Sequence, residues 1–139
     1  MSFPFNVRVY GVFEIQGKVL LSTESYAGKT FTKFPGGALE FGEGPKDAVE
    51  REFMEETGLK VIASKHIYTT DFFQKSAFNS SHQILSIYYK IEHVDERFTP
   101  IELISKEDNQ ELFWVKRQAL SSDYFTFPID KYVCNNFLV

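Results

Sequence analysis

Three acids between positions 52 and 56 could do chemistry together. Projected at about 100° per residue, Ala48, Glu52, Glu55 and Glu56 fall within a roughly 100° arc of one helix, with Val49 and Phe53 beside them toward the core. Glu52 and Glu56 stand one turn apart, and like charges at that spacing cost a helix about 0.2–0.5 kcal/mol. One reading is a solvated acidic face. The other is a site for a hard divalent cation. Mg²⁺ or Mn²⁺ takes carboxylate and carbonyl oxygens, neutralises the acids, clamps a phosphate and acidifies bound water. The small Ala48 in the arc is expected to leave room for a ligand. Arg51 is expected to hold an acid in place, through Asp47 or Glu55.

The helix that carries these residues is punctuated at both ends. Gly44-Pro45 opens it, because proline at the first helical position gives up an N–H that has no partner there. Asp47 puts an acid in the first turn, at the positive end of the helix dipole. Gly58 closes it in the left-handed conformation. The predicted span is Pro45 to Thr57. Ahead of it, the adjacent Gly36 and Gly37 let the backbone approach a ligand closely.

The stretch Gly37–Leu59 resembles the Nudix box: G, five residues, E, seven residues, then R-E-U-x-E-E-x-G-U, with U a bulky apolar residue. Gly37, Glu43 and Arg51-Glu52-Phe53-Met54-Glu55-Glu56-Thr57-Gly58-Leu59 fill every fixed position without a gap. Phe53 is a mild variation on the usual aliphatic, and Phe34-Pro35-Gly36 also resembles the family's lead-in. The resemblance implies an α/β/α sandwich and hydrolysis of a nucleoside diphosphate linked to another group, assisted by Mg²⁺ or Mn²⁺. It implies metal ligation by Glu52, Glu56, Glu55 and the Gly36 carbonyl. Arg51 would orient a glutamate, and Glu43 would be a supporting acid. Glu52 is the first choice of general base, ahead of Glu111 and then Asp108.

Substrate markers known outside the box are absent. No proline lies between Pro45 and Pro100, where ADP-ribose and NADH enzymes of the family carry one, and Glu24 stands where coenzyme A enzymes carry arginine. A (deoxy)nucleoside triphosphate or modified NTP remains. ADP-ribose or a nucleotide sugar is the alternative, and so is a non-catalytic nucleotide sensor. His82 and Phe73 are further candidates for substrate contact, and Phe5, Tyr26, Phe72 and Phe78 for stacking on a base.

At 139 residues the chain is expected to form a single domain. A net charge of −4 disfavours a stable nucleic-acid partner or an anionic membrane surface. No stretch has the ~18 apolar residues of a membrane span. Cys134 is the single cysteine, expected to be buried, which together with the lack of a signal peptide points to the cytoplasm. A homodimer is the default assembly. His66, His82 and His93 lack the spacing of a zinc site.

The remaining elements form an α+β order, a mixed sheet flanked by about two main helices. Strands are expected at Asn6–Ile15, Val19–Thr23, Lys60–Phe73, Gln83–Glu92 and Glu111–Val115. Gln83–Glu92, nearly all apolar at its centre, is expected to be central. Glu24–Lys33 and Gln74–Ser81 read as polar loops, and Asp95–Asn109 as a charged connection. Lys116–Ser122 reads as a helical turn or two. Pro128–Leu138 reads as a closing helix with Ile129, Tyr132, Val133 and Phe137 as its core face.

Overall fold

The buried run Val9–Phe13 lies at the middle of the molecule, and the rest is laid out on either side of it. A computed structural model describes residues 2–94 and 109–139; the expected connection 95–109 and the candidate base Asp108 therefore fall outside the described residues, apart from Asn109. Strand β1 (Phe5–Ile15) runs parallel to β6 (Gln83–His93), in register from Phe5↔Gln83 to Phe13↔Ile91. On its other side it pairs antiparallel with the short β4 (Gly36–Ala38) and then with β2 (Lys18–Tyr26). β5 (Val61–Thr69) lies antiparallel on the outer edge of β6, and β2 carries β3 (Lys29–Lys33) and β7 (Gln110–Lys116). This is the mixed sheet expected, with β6 between two neighbours.

Alternate residues of β1 feed two cores, as strand geometry dictates. Val9 and Phe13 face helix α1 (Pro45–Thr57), packing with Ala48, Val49, Phe53 and Ile91. Tyr10 and Val12 face the C-terminal segment, packing with Tyr88, Ile129, Val133, Cys134 and Leu138. Gly11 lets α1 come close, since a Cβ there would sit 2.4 Å from the Phe53 ring. The fully buried Phe53 contributes about 1.5–3 kcal/mol by burial.

Helix α1 has the expected ends. Asp47 Oδ2 accepts the Gly44 N–H at 3.1 Å, and Gly58 adopts φ 76° with its N–H donating to the Met54 carbonyl. Ala48 is wholly buried in the core, so it is a packing residue and leaves no gap for a ligand.

Two expected segments differ from the structure. Residues 24–33 are a hairpin, with Glu24↔Phe31 and Tyr26↔Lys29 paired across Ala27-Gly28, both at positive φ as a two-residue turn requires. The closing helix is α2 (Pro128–Val133) followed by a π turn at Cys134–Leu138. The wider turn shifts the apolar stripe beyond Val133, so Leu138 is buried in place of Phe137; Tyr132, on α2 itself, also lies at the surface. Cys134 is buried and free, as expected.

Candidate active site

Arg51 is the organising side chain. A guanidinium presents five N–H donors in a rigid fork. Here Nε and Nη2 donate to the two oxygens of Glu43 at 3.0 and 2.7 Å, and Nη2 also donates to the Ala38 carbonyl at 3.0 Å. Nη1 donates to Glu52 at 3.0 Å and to both oxygens of Glu55 at 3.2 Å. One cation thus ties β4, the loop after it and two turns of α1 together, offsetting the repulsion within the acidic arc. Its pKa is raised, foremost by the hydrogen bonds to Glu43, while Glu43 is held below the ordinary carboxylate range by the same bonds. Of the two expected partners of Arg51, Glu55 is engaged; Asp47 caps the helix instead.

The two acids one turn apart are drawn inward. Glu52 lies against Gly37, where a Cβ would meet its Oε1 at 2.4 Å. Burial raises its pKa, and Arg51 opposes the rise. Glu56 is 4% exposed, and burial pushes its pKa up to about 7 against the pull of Lys33. Gln110, which donates to Ser22 Oγ at 2.7 Å, also bonds this carboxylate, yet Glu56 Oε2 is buried with no hydrogen-bond partner among the described residues. A buried carboxylate oxygen left unpaired is costly. Gly36 packs so tightly on β1 that a Cβ would lie 2.0 Å from the Val9 carbonyl. Its own carbonyl accepts from Lys33 Nζ at 3.4 Å.

Among the described residues no group of three acidic, His or Cys side chains forms a ready metal cage. The donors nevertheless fit a hard cation that brings its own water: an orphaned buried carboxylate oxygen, a second desolvated carboxylate and a backbone carbonyl now facing an ammonium.

Lys33 joins this cluster to a cavity of about 440 Å³ on the α2 face of the sheet. Arg8, Tyr10, Glu24, Tyr88 and Asp130 form its polar wall. Asp130 is 2% exposed, accepts the Tyr88 hydroxyl at 2.6 Å, and is pushed up to about 7 by burial. Its outer wall is aromatic. Phe31 stacks on Phe127 at 5.3 Å, and Phe78 meets Tyr26 and Phe31 edge-on at 5.3 and 5.0 Å.

Other expected contacts are not brought together. Phe73 is 65% exposed and does not line the cavity. His82 also lies off the cavity wall, and its main chain instead closes the loop through Ser76 and Asn79. Glu111 follows Gln110 on β7, so it points away from Glu56 and is exposed. Phe5 and Phe72 stay outside the cavity, whereas Tyr26 and Phe78 line it. Sequence reading missed Lys33, Gln110, Glu24, Arg8 and Asp130. Two had a signal: Lys33 shares a strand face with Phe31, and Asp130 shares the buried side of α2 with Ile129 and Val133.

Comparison with known proteins fits this geometry. The NUDIX domain family matches residues 3–135. The 8-oxo-dGTP diphosphatase of Haemophilus influenzae is 28% identical over 114 residues, 78% of this chain and 74% of that protein. The MutT protein of Methanosarcina mazei superposes with a TM-score of 0.76 at 20% identity, over 99% of this chain and 95% of its own. The E. coli ORF135 protein gives 0.75 at 22%, over 98% and 90%. With a family match across nearly its whole length, the chain belongs to the NUDIX domain family and is a hydrolase acting on pyrophosphate bonds.

Proposed function

We propose that this hydrolase cleaves the pyrophosphate linkage of a (deoxy)nucleoside triphosphate, oxidised forms included, in a reaction dependent on Mg²⁺ or Mn²⁺. The observation that carries the reading is the unpartnered Oε2 of Glu56, which feels the charge of Lys33, a side chain that itself lines an aromatic-walled cavity. At about 440 Å³ the cavity lies in the range of small-molecule sites, roughly 300–1,000 Å³. The diphosphatase activity named for the Haemophilus influenzae relative supports the same substrate class.

Glu56, Glu52, Glu55 and the Gly36 carbonyl would hold the cation, which when bound supplies a Lewis acid and water of lowered pKa. Arg51 fixes the rotamers of Glu52 and Glu55, and Glu43 fixes Arg51. Glu52 is the first choice of general base: Arg51 holds its carboxylate against Gly37, where it would take a proton from the attacking water. The nucleoside enters the cavity, with its base against Phe31, Phe78 and Phe127. A cytoplasmic enzyme on a small-molecule substrate, with a homodimer as its assembly, completes the reading.

The test is phosphate release with Mg²⁺ and then Mn²⁺, coupled to inorganic pyrophosphatase for nucleoside triphosphates and 8-oxo-dGTP and to a phosphomonoesterase for ADP-ribose and nucleotide sugars. Turnover of a triphosphate that EDTA abolishes is the expected result. Faster turnover of ADP-ribose or a nucleotide sugar would replace the substrate. Tight nucleotide binding with no turnover of any compound would point to a sensor instead.

A further inference from the structure

We propose that Lys33 is a substrate-binding residue that alternates between two partners: the Gly36 carbonyl when no divalent cation is bound, and a phosphate oxygen of the nucleotide when that carbonyl is taken. The proposal rests on the nucleotide reading above.

Lys33 ends β3, is 3% exposed, and lines the cavity while its Nζ reaches the Gly36 carbonyl. Among the described residues, none of its contacts is tight. Nζ lies 3.4 Å from that carbonyl, 3.7 Å from Glu24 Oε2 and 5.5 Å from the centre of the Tyr10 ring. A settled charge-assisted hydrogen bond would be about 2.7–2.9 Å. The group therefore stands between several acids without being committed to one. Its field reaches Glu52, Glu56 and Asp130 as well as Glu24.

A divalent cation on Glu56 and the Gly36 carbonyl would compete with the ammonium for that carbonyl and repel it. The space open to it then is the cavity that its own stem already lines. A polyphosphate that runs from a base held by Phe31 and Phe127 to a cation at Glu56 must pass Lys33, which sits at the junction of the two regions. The lysine would exchange a carbonyl for a phosphate oxygen, a stronger partner for an ammonium. The cation would thus release the side chain that the substrate needs.

The experiment uses two probes that need no knowledge of the base. Mn²⁺ binding is followed by the EPR signal of free Mn²⁺, without nucleotide, and inorganic tripolyphosphate binding by calorimetry, with and without Mg²⁺. Lys33→Met removes the competing charge, so Mn²⁺ should bind roughly fivefold or more tightly. Tripolyphosphate affinity in Mg²⁺ should fall about ten- to hundred-fold, as loss of a charged hydrogen bond predicts. Lys33→Gln should shift both in the same directions, which covers a Met variant that folds poorly, and Lys33→Arg should retain tripolyphosphate binding. A purely structural lysine would lower thermal stability in the variants and leave Mn²⁺ binding unchanged or weaker. That result, or unchanged tripolyphosphate binding, or a wild-type protein that does not bind tripolyphosphate, overturns the proposal. Failure of the nucleotide reading would appear separately, as a wild type that turns over no triphosphate in the substrate screen.

Discussion

Glu56→Gln should stabilise the metal-free protein and abolish its activity. Burial raises the Glu56 pKa from 4.5 to about 7, so the folded chain holds this proton more tightly than the unfolded chain does. Between those two values the native state binds more protons, and stability falls as pH rises from 4.5 to 7 and stays lowered above it. At 1.36 kcal/mol per unit the cost reaches about 3 kcal/mol. Solvent screens little of it, because Glu56 is 4% exposed. Lys33 eases the cost, while Glu52 and Glu24 add to it, and Gln110 bonds the carboxylate.

A carboxamide carries no charge to desolvate, and it can still pair with Gln110. Urea unfolding in EDTA at pH 8 should therefore find Glu56→Gln more stable than wild type by about 2–3 kcal/mol, with the gap closing toward pH 4.5. Mg²⁺ should raise the midpoint of the wild type far more than that of the variant. Turnover should drop by about two orders of magnitude or more, from loss of the proposed metal ligand. A variant less stable than wild type at pH 8 in EDTA would refute the burial argument, and wild-type turnover would refute the metal assignment.

Arg51→Lys keeps one charge but loses the fork that grips Glu43 through both oxygens. It should cost about 1–2 kcal/mol in urea unfolding and lower kcat about tenfold or more, because Glu52 and Glu55 lose their fixed orientation. Gly37→Ala places a methyl group against the Glu52 carboxylate, whose atoms are its three nearest neighbours. It should therefore leave the unfolding free energy within about 1 kcal/mol while kcat falls sharply, since only a flexible side-chain end must move. Tyr88→Phe removes the hydroxyl that Asp130 accepts and leaves a buried carboxyl oxygen unpaired. It should cost about 1–3 kcal/mol and raise KM for the nucleotide with kcat little changed, as Michaelis curves at saturating Mg²⁺ would read.

What could be read from sequence was what one element encodes by itself. Pro45, Asp47 and Gly58 act within their own helix, so α1 has the predicted bounds, and the spacing of Arg51 to Glu55 is a property of any α-helix. Glu56 is different. Helical projection placed it in one arc with Glu52 and Glu55, but its environment comes from Gln110 on β7 and Lys33 on β3, which meet only because Glu24 pairs with Gln110 and Ser22 with Lys33. Such registers are set by the whole sheet and leave no local periodicity.

The hairpin at 24–33 shows the same limit from the opposite side. A strand is recognised by apolar residues on alternate positions because its inner face usually meets a core. Here the inward positions are Glu24, Tyr26, Phe31 and Lys33, and they face the cavity. An inner face that mixes charged with aromatic side chains breaks the apolar alternation, and so the segment reads as a loop. Asp130 is the helical counterpart, a carboxyl at 2% exposure among Ile129, Val133 and Cys134, where packing alone would call for an apolar side chain. Two of the places where the pattern misled therefore wall the cavity. A local departure from core chemistry inside a well-packed fold is what the proposed nucleotide site requires.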